Sequence, residues 1–255
     1  EDNEGMQRDY WYTLGRHWHS LEAAAAVGAK AGERTVQRLS PRKAPTGKYP
    51  VVLAPNLAAG LIGHLKEAIS GGSQYRKASF LLDALDQQVL PNWLSVREEP
   101  LMLGGLASAY FDGDGVTTKN NCFVENGRLA SYILSTYSAR KLGLATTGNA
   151  GGVHNLHLDG PQIPYAELLA RMGTGLLITE LMGQGVNGVT GDYSRGASGF
   201  WVEDGEILYP VAAFTLAGNL RDMLRNVVAL GDDVDVRSSI RAPSMLLESM
   251  TVAGQ

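Results

Sequence analysis

Two turn dipeptides constrain the fold of this chain more than any other feature. Asn126-Gly127 separates Asn121-Cys-Phe-Val-Glu125 from the apolar run Arg128-Leu-Ala-Ser-Tyr-Ile-Leu134. Asp204-Gly205 separates Gly199-Phe-Trp-Val-Glu203 from Glu206-Ile-Leu-Tyr209. A type I′ turn needs positive φ at both central residues, which Asn-Gly and Asp-Gly adopt at low cost, so each pair predicts an antiparallel hairpin. The mainly apolar stretch 175–181 predicts a central strand, and 246–252 a closing one. Hairpins dominate and no βαβ rhythm repeats. The expected class is therefore α+β: a mainly antiparallel β-sheet C-terminal domain with interleaved helices, preceded by a long helix.

The helical signals are equally local. Asn56 as N-cap and Gly71-Gly72 as a stop predict an amphipathic helix over 56–72. Leu57, Leu61, His64, Leu65 and Ala68 share one face of it. An imidazole among leucines is either a packed residue or the remnant of a site. Upstream, Trp11, Leu14, Trp18, Leu21, Ala25 and Gly28 alternate spacings of three and four, predicting a long helix across 8–40. Pro41, Pro45 and Pro50 then break helicity, so 40–50 reads as a linker, followed by a short buried strand at 51–54. A domain boundary is expected in that linker, dividing 1–45 (long helix plus linker) from 46–255. Shorter helices are predicted at 138–142 before Gly143, at 164–172 before Gly173, and at 219–230 behind an Asn219 cap.

Composition excludes several classes. With a formal charge of −4 and no basic cluster longer than Arg42-Lys43, the chain lacks the concentrated positive field of a nucleic-acid surface. No apolar run approaches a membrane span, and the expected location is cytoplasmic. The one cysteine, Cys122, rules out an intrachain disulfide and reads as a packed thiol. The chain opens Glu1-Asp2-Asn3-Glu4 without an initiator Met, so it reads as a fragment whose true N-terminus is missing.

Four motif matches fail on their context. Gly183-Gln-Gly-Val-Asn-Gly188 fits a dinucleotide fingerprint, but loop and strand follow where a helix must open; close backbone approach is the simpler reading. Asp112-Gly-Asp114 starts like a calcium loop, with its glycine early and Phe123 at the twelfth place, and reads as a turn. Ser40 to Lys43 and Ser138 to Lys141 match SxxK without the partner motifs of that chemistry. His154, His157 and Asp159 have metal-ligand chemistry, but loop histidines at this spacing read first as hydrogen-bonding residues.

Longer strings carry a family resemblance. Ser79-Phe-Leu-Leu-Asp83, Tyr137-Ser-Ala-Arg-Lys-Leu-Gly143, Thr179-Glu-Leu-Met-Gly-Gln-Gly185, Gly191-Asp-Tyr-Ser-Arg-Gly196 and Ala217-Gly-Asn-Leu-Arg-Asp-Met223 resemble the PmbA (TldE) branch of the TldD/PmbA metallopeptidase, or gyrase modulator, family. The resemblance implies a zinc-dependent peptidase that acts on unstructured peptides as a heterodimer. It also implies a further N-terminal domain upstream, with 1–45 as the end of a middle segment and 46–255 as the C-terminal domain. Its TldD-type subunit holds zinc with an HExxxH helix and a distant cysteine. Transferred to this chain, the first histidine position is Ala59, the glutamate position Gly60, the second histidine His64 and the cysteine position Ala242. Catalytic zinc needs three protein ligands, an open position for water and a base. The resemblance therefore implies no metal and no catalytic residue in this chain, with zinc in the partner.

The first functional expectation is thus a non-catalytic subunit that helps to bind peptide, with a homodimer left open for the case in which its partner is absent. Strand addition suits sequence-tolerant capture, with Thr179, Glu180, Gly183, Gly185, Asp192, Tyr193 and Arg195 as candidate contacts. One alternative is an autonomous metallopeptidase in which His154 or His157 joins His64 on a metal. A further alternative is an interaction or regulatory protein linked to gyrase modulation, working through protein contacts.

Overall fold

The computed structural model describes residues 1, 2 and 5–254. The N-terminal helix is shorter than its periodicity predicts. It spans Ala24–Val36 (α1), and among the described residues before it only Trp18–Ser20 makes a 3-10 turn. Tertiary contacts override the pattern. The Trp11 ring has Lys30 Nζ at 3.8 Å and the Arg237 guanidinium at 3.8 Å from its centroid, and its indole N–H donates to Glu22 at 3.0 Å. Cation–π contacts of this kind contribute about 0.5–2 kcal/mol each. A helix that buries none of its residues, as α1 does, has little to set against them.

The proline-broken segment joins the sheet rather than running free. It contributes Arg42–Lys43 (β1) and leads into Gly47–Leu53 (β2). The following helix, Pro55–Ala68 (α2), opens with Pro55 in its first turn and Ala54 at the cap, so Asn56 lies inside it and caps nothing. Its buried stripe is Ala58, Leu61, Ile62, Leu65 and Ala68, which leaves Leu57 and His64 on the border, half-buried. Gly71-Gly72 is not a stop. Ser70 accepts from the Ser73 N–H and opens Gly71–Tyr75 (α3), where a Cβ on Gly71 would collide with Ser138.

The remaining strands in chain order are Ser95–Glu98 (β3), Asn121–Glu125 (β4), Arg128–Leu129 (β5), Leu156–Asp159 (β6), Gln162–Ile163 (β7), Gly175–Met182 (β8), Asp192–Glu203 (β9), Glu206–Asn219 (β10), Val227–Gly231 (β11), Ile240–Arg241 (β12) and Met245–Ala253 (β13). Thr136–Leu142 (α4), Tyr165–Met172 (α5) and Leu220–Arg225 (α6) lie between them. The last helix ends well short of 230, because Val227 and its neighbours pair with β13 and β7 instead. β-Branched residues fit a pleated surface better than a helix. Both predicted hairpins form, with φ of 48° and 76° at Asn126-Gly127 and 53° and 80° at Asp204-Gly205.

Among the described residues the strands make two sheets. The larger runs β1-β10-β9-β8-β2-β13-β11-β7, and β10 also pairs with β13. That extra pairing closes β10, β9, β8, β2 and β13 into a ring, whose interior merges with α2 and α6 in the main core. The smaller sheet runs β12-β6-β3-β4-β5. Most pairings are antiparallel; β2–β8, β1–β10, β7–β11 and β6–β12 are parallel. No described helix is long and apolar enough to cross a membrane.

A buried carboxylate ties the smaller sheet to its loops. Glu98 is 1% exposed and accepts hydrogen bonds from Asn121 Nδ2 at 2.7 Å, Asn149 Nδ2 at 2.7 Å and the His154 backbone N–H at 2.6 Å. Burial raises its pKa above the ordinary value, while these donors and His154 pull it down less strongly. The folded protein then binds a proton more readily than the unfolded chain. This group's contribution is fully present below 4.5 and is lost as pH rises through the raised value. We expect urea denaturation to show that pH-dependent loss in the parent protein and not in Glu98→Gln. Glu98→Ala leaves the donors unpaired and lowers stability by about 3 kcal/mol at neutral pH.

Candidate functional site

Helix α2 presents His64 to a cleft of about 260 Å³. Glu67, one turn along the same helix, lines it with Ser73 and Phe80; Gly183 and Gln184 come from the loop after β8, and Arg195 from β9. The glycine-rich loop stands as wall because its backbone packs against backbone. Ser194 N–H donates to the Gly185 carbonyl at 2.7 Å, and a Cβ on Gly185 would collide with the Ser194 carbonyl. The Gly188 carbonyl accepts from Phe80 N–H at 2.9 Å. No helix follows these glycines, so they serve close approach and not phosphate binding.

The electrostatics centre on three side chains. The His64 ring meets Tyr193 edge-on, with centroids 6.2 Å apart and planes at 81°. Burial, followed by the positive charge of Arg195, lowers the His64 pKa below 6.5, so the imidazole is neutral at neutral pH. Burial pushes the Tyr193 phenol up, and Arg195 opposes this. Arg195 donates from Nη2 to the Leu181 carbonyl at 3.3 Å, while its Nε is buried without a hydrogen-bond partner. Among the described residues Arg195 forms no ion pair.

The expected contact residues fall into two groups. Gly183, Tyr193 and Arg195 gather around His64, with Gly185 behind the wall. Thr179 and Glu180 line a second cleft of about 320 Å³ with Arg8, Tyr10, Asn56 and Leu57. Glu180 pairs there with Arg38, which also contacts Asp9 at 3.4 Å. Thr179 lies at a β-bulge, its Oγ1 buried without a partner. Asp192 belongs to neither cleft and accepts from Thr190 Oγ1 at 2.6 Å in the turn before β9. Between the clefts, β8 loses its neighbour. Pairing with β2 stops at Ile178, so residues 180–182 are paired only with β9.

The positions matched to the metal motif do not fit zinc. Ala59 packs half-buried against the core, Gly60 is exposed and Ala242 is wholly buried, and none carries a donor side chain. His154 lies 3.3 Å from Glu98 through Nδ1, and His157 lies 3.8 Å from Glu99 through Nε2; neither lines the His64 cleft. Among the described residues no three of His, Cys, Asp and Glu converge as a metal site. Asp112 is the turn residue its spacing predicts, accepting from Asp114, Val116 and Ala150 N–H.

Glu67, Gln184, Arg34 and Arg38 went unmarked by the sequence patterns. Glu67 was the most accessible of them, since a residue three beyond His64 shares its side of a helix. Arg34 belongs to α1 and Arg38 to the turn just beyond it, and both reach the cleft beside β8 only through tertiary packing. In a ring-resonance NMR titration, His64 is expected to titrate below 6.5, and Arg195→Gln to move its midpoint upward because a repelling cation is removed.

Comparison with known proteins places the site in context. Residues 46–254 match the family model described as the PmbA/TldA metallopeptidase C-terminal domain. Metalloprotease PmbA of Escherichia coli O157:H7 is 54% identical over 255 residues, covering 100% of this chain and 57% of that protein. A crystal structure from Bacteroides thetaiotaomicron, described as a candidate modulator of DNA gyrase, superposes with a TM-score of 0.90 at 31% identity, covering 96% of this chain and 55% of the other. TldE from Thermococcus kodakarensis shares the fold, with a TM-score of 0.79 at 20% identity over 90% of this chain and 55% of that one. The chain thus spans little more than half the length of these relatives. A β-ring carrying a donor-poor α2 beside a glycine-walled cleft, matched along its length by these proteins, belongs to the PmbA/TldA metallopeptidase family.

Proposed function

We propose that this chain is part of a non-catalytic PmbA/TldE-type subunit of a cytoplasmic zinc-dependent peptidase that processes unstructured peptides. In this reading a TldD-type partner supplies zinc and the general base, and this subunit binds peptide. The observation that carries it is the donor set of α2. Family membership is intact, yet the helix offers one imidazole with methyl or hydrogen side chains at the other motif positions. Such a set cannot hold a catalytic zinc with an open water position.

The open edge of β8 supports the binding role. An extended peptide can add to residues 180–182 through main-chain hydrogen bonds, largely irrespective of its sequence. Such a peptide would run between the Glu180 cleft and the His64 cleft, beside the opening turn of α2. Thr179 and Glu180 would contact one part of it, and Gly183 and Arg195 the other.

The test uses the full-length protein, purified alone and with a TldD-type partner, with metal content and cleavage of an unstructured peptide measured in parallel. Stoichiometric zinc and turnover are expected only with the partner; both in the subunit alone would overturn the reading. A photo-crosslinking residue at Met182, which is 40% exposed, is expected to capture the peptide.

A further inference from the structure

We propose that the His64 cleft is a carboxylate pocket, in which Arg195 receives either the C-terminal carboxylate or an acidic side chain of a bound peptide. This inference rests on the reading of the chain as a peptide-binding subunit and adds what that subunit recognises.

The guanidinium is the first observation. Arg195 lines the cleft, has a buried Nε–H without a partner, and enters no ion pair among the described residues. Arg195 is half-buried, but its Nε–H is fully enclosed, and an enclosed donor without an acceptor is costly unless something occupies it. The planar fork of a guanidinium matches a carboxylate through two parallel N–H···O bonds. The Leu181 carbonyl holds its Nη2 and the Tyr193 phenol also bonds to the guanidinium, which fixes the group and leaves the Nε–H for a ligand.

The surroundings select the ligand. His64 is a neutral ring and contributes hydrogen-bonding capacity without charge, and Gln184 adds a side-chain amide. Glu67 lies at the rim, exposed to solvent, with Ser73 Oγ at 3.4 Å. One cation set against one solvated anion admits a monoanion and disfavours a dianion such as phosphate. A cleft of about 260 Å³ takes the end of one residue rather than a whole peptide.

Position supplies the link to the peptide. The Leu181 carbonyl that anchors Arg195 belongs to the stretch of β8 that lacks a second neighbour. A peptide paired along residues 180–182 therefore passes over the mouth of the pocket, where one carboxylate can turn in. This converts a sequence-tolerant backbone contact into a register-setting one.

The experiment measures binding of fluorescently labelled unstructured peptides to the full-length protein by anisotropy. Each peptide is made as the free acid, as the C-terminal amide, and with Asp and Glu replaced by Asn and Gln. Neutralising the relevant carboxylate is expected to weaken binding by about tenfold. Loss on amidation assigns the terminus, and loss on side-chain replacement assigns the acidic residue. Arg195→Gln should bind charged and neutral peptides alike, Arg195→Lys should restore part of the preference, and the melting curves should confirm that both variants fold. Equal binding of charged and neutral peptides by the parent protein, or a preference that survives Arg195→Gln, overturns the carboxylate pocket alone. Failure of every peptide to bind overturns the peptide-binding reading with it.

Discussion

The fold depends on the last strand. β13 pairs with β2 and β11 along its length, and its final residues 251–253 also pair with β10. Without that last contact the large sheet would have a free edge on β10; with it, five strands close on themselves. An unpaired edge in a sheet is a site for unwanted association, and ring closure removes it. The ring is non-local, since β13 also joins residue 47 to residue 252, so it completes only once most of the chain is present.

Much of this arrangement was legible in the sequence because it rests on local chemistry. Asn126-Gly127 and Asp204-Gly205 need no tertiary context to turn, and both hairpins formed. The apolar stretch at 175–181 became β8, and 246–252 became β13. The errors came where distant partners competed with periodicity. Trp11 and Trp18 fit a helical stripe, but Arg237 draws Trp11 out of it, and α1 starts only at the alanines. Val227 and Val228 extended the apolar face of the predicted last helix, but β13 offered them a ladder.

The site shows the same division. His64 stood out as a polar residue on an apolar helix, and its cleft does bring Gly183, Tyr193 and Arg195 around it. Thr179 and Glu180 lie close to them in sequence but serve another surface, because the end of β2 and the bulge at Thr179 part the two clefts. Periodicity cannot report where a neighbouring strand stops. Nor could it find Arg38, whose pairing with Glu180 spans most of the chain. On α2 itself the helix is shaped for packing, with a neutral imidazole facing a cation that has no counterion among the described residues.

The contact of Trp11 with Lys30 and Arg237 has a consequence for the stability of the N-terminal arm. Charges over a ring hold this stretch to the body, where the strands behind it are held by paired amides. Such contacts open singly, whereas a closed ring of strands opens only as a unit. The arm is therefore a separate, softer layer of the molecule. Its amides should exchange with solvent, and its backbone should yield to proteases, long before the barrel beneath it loosens.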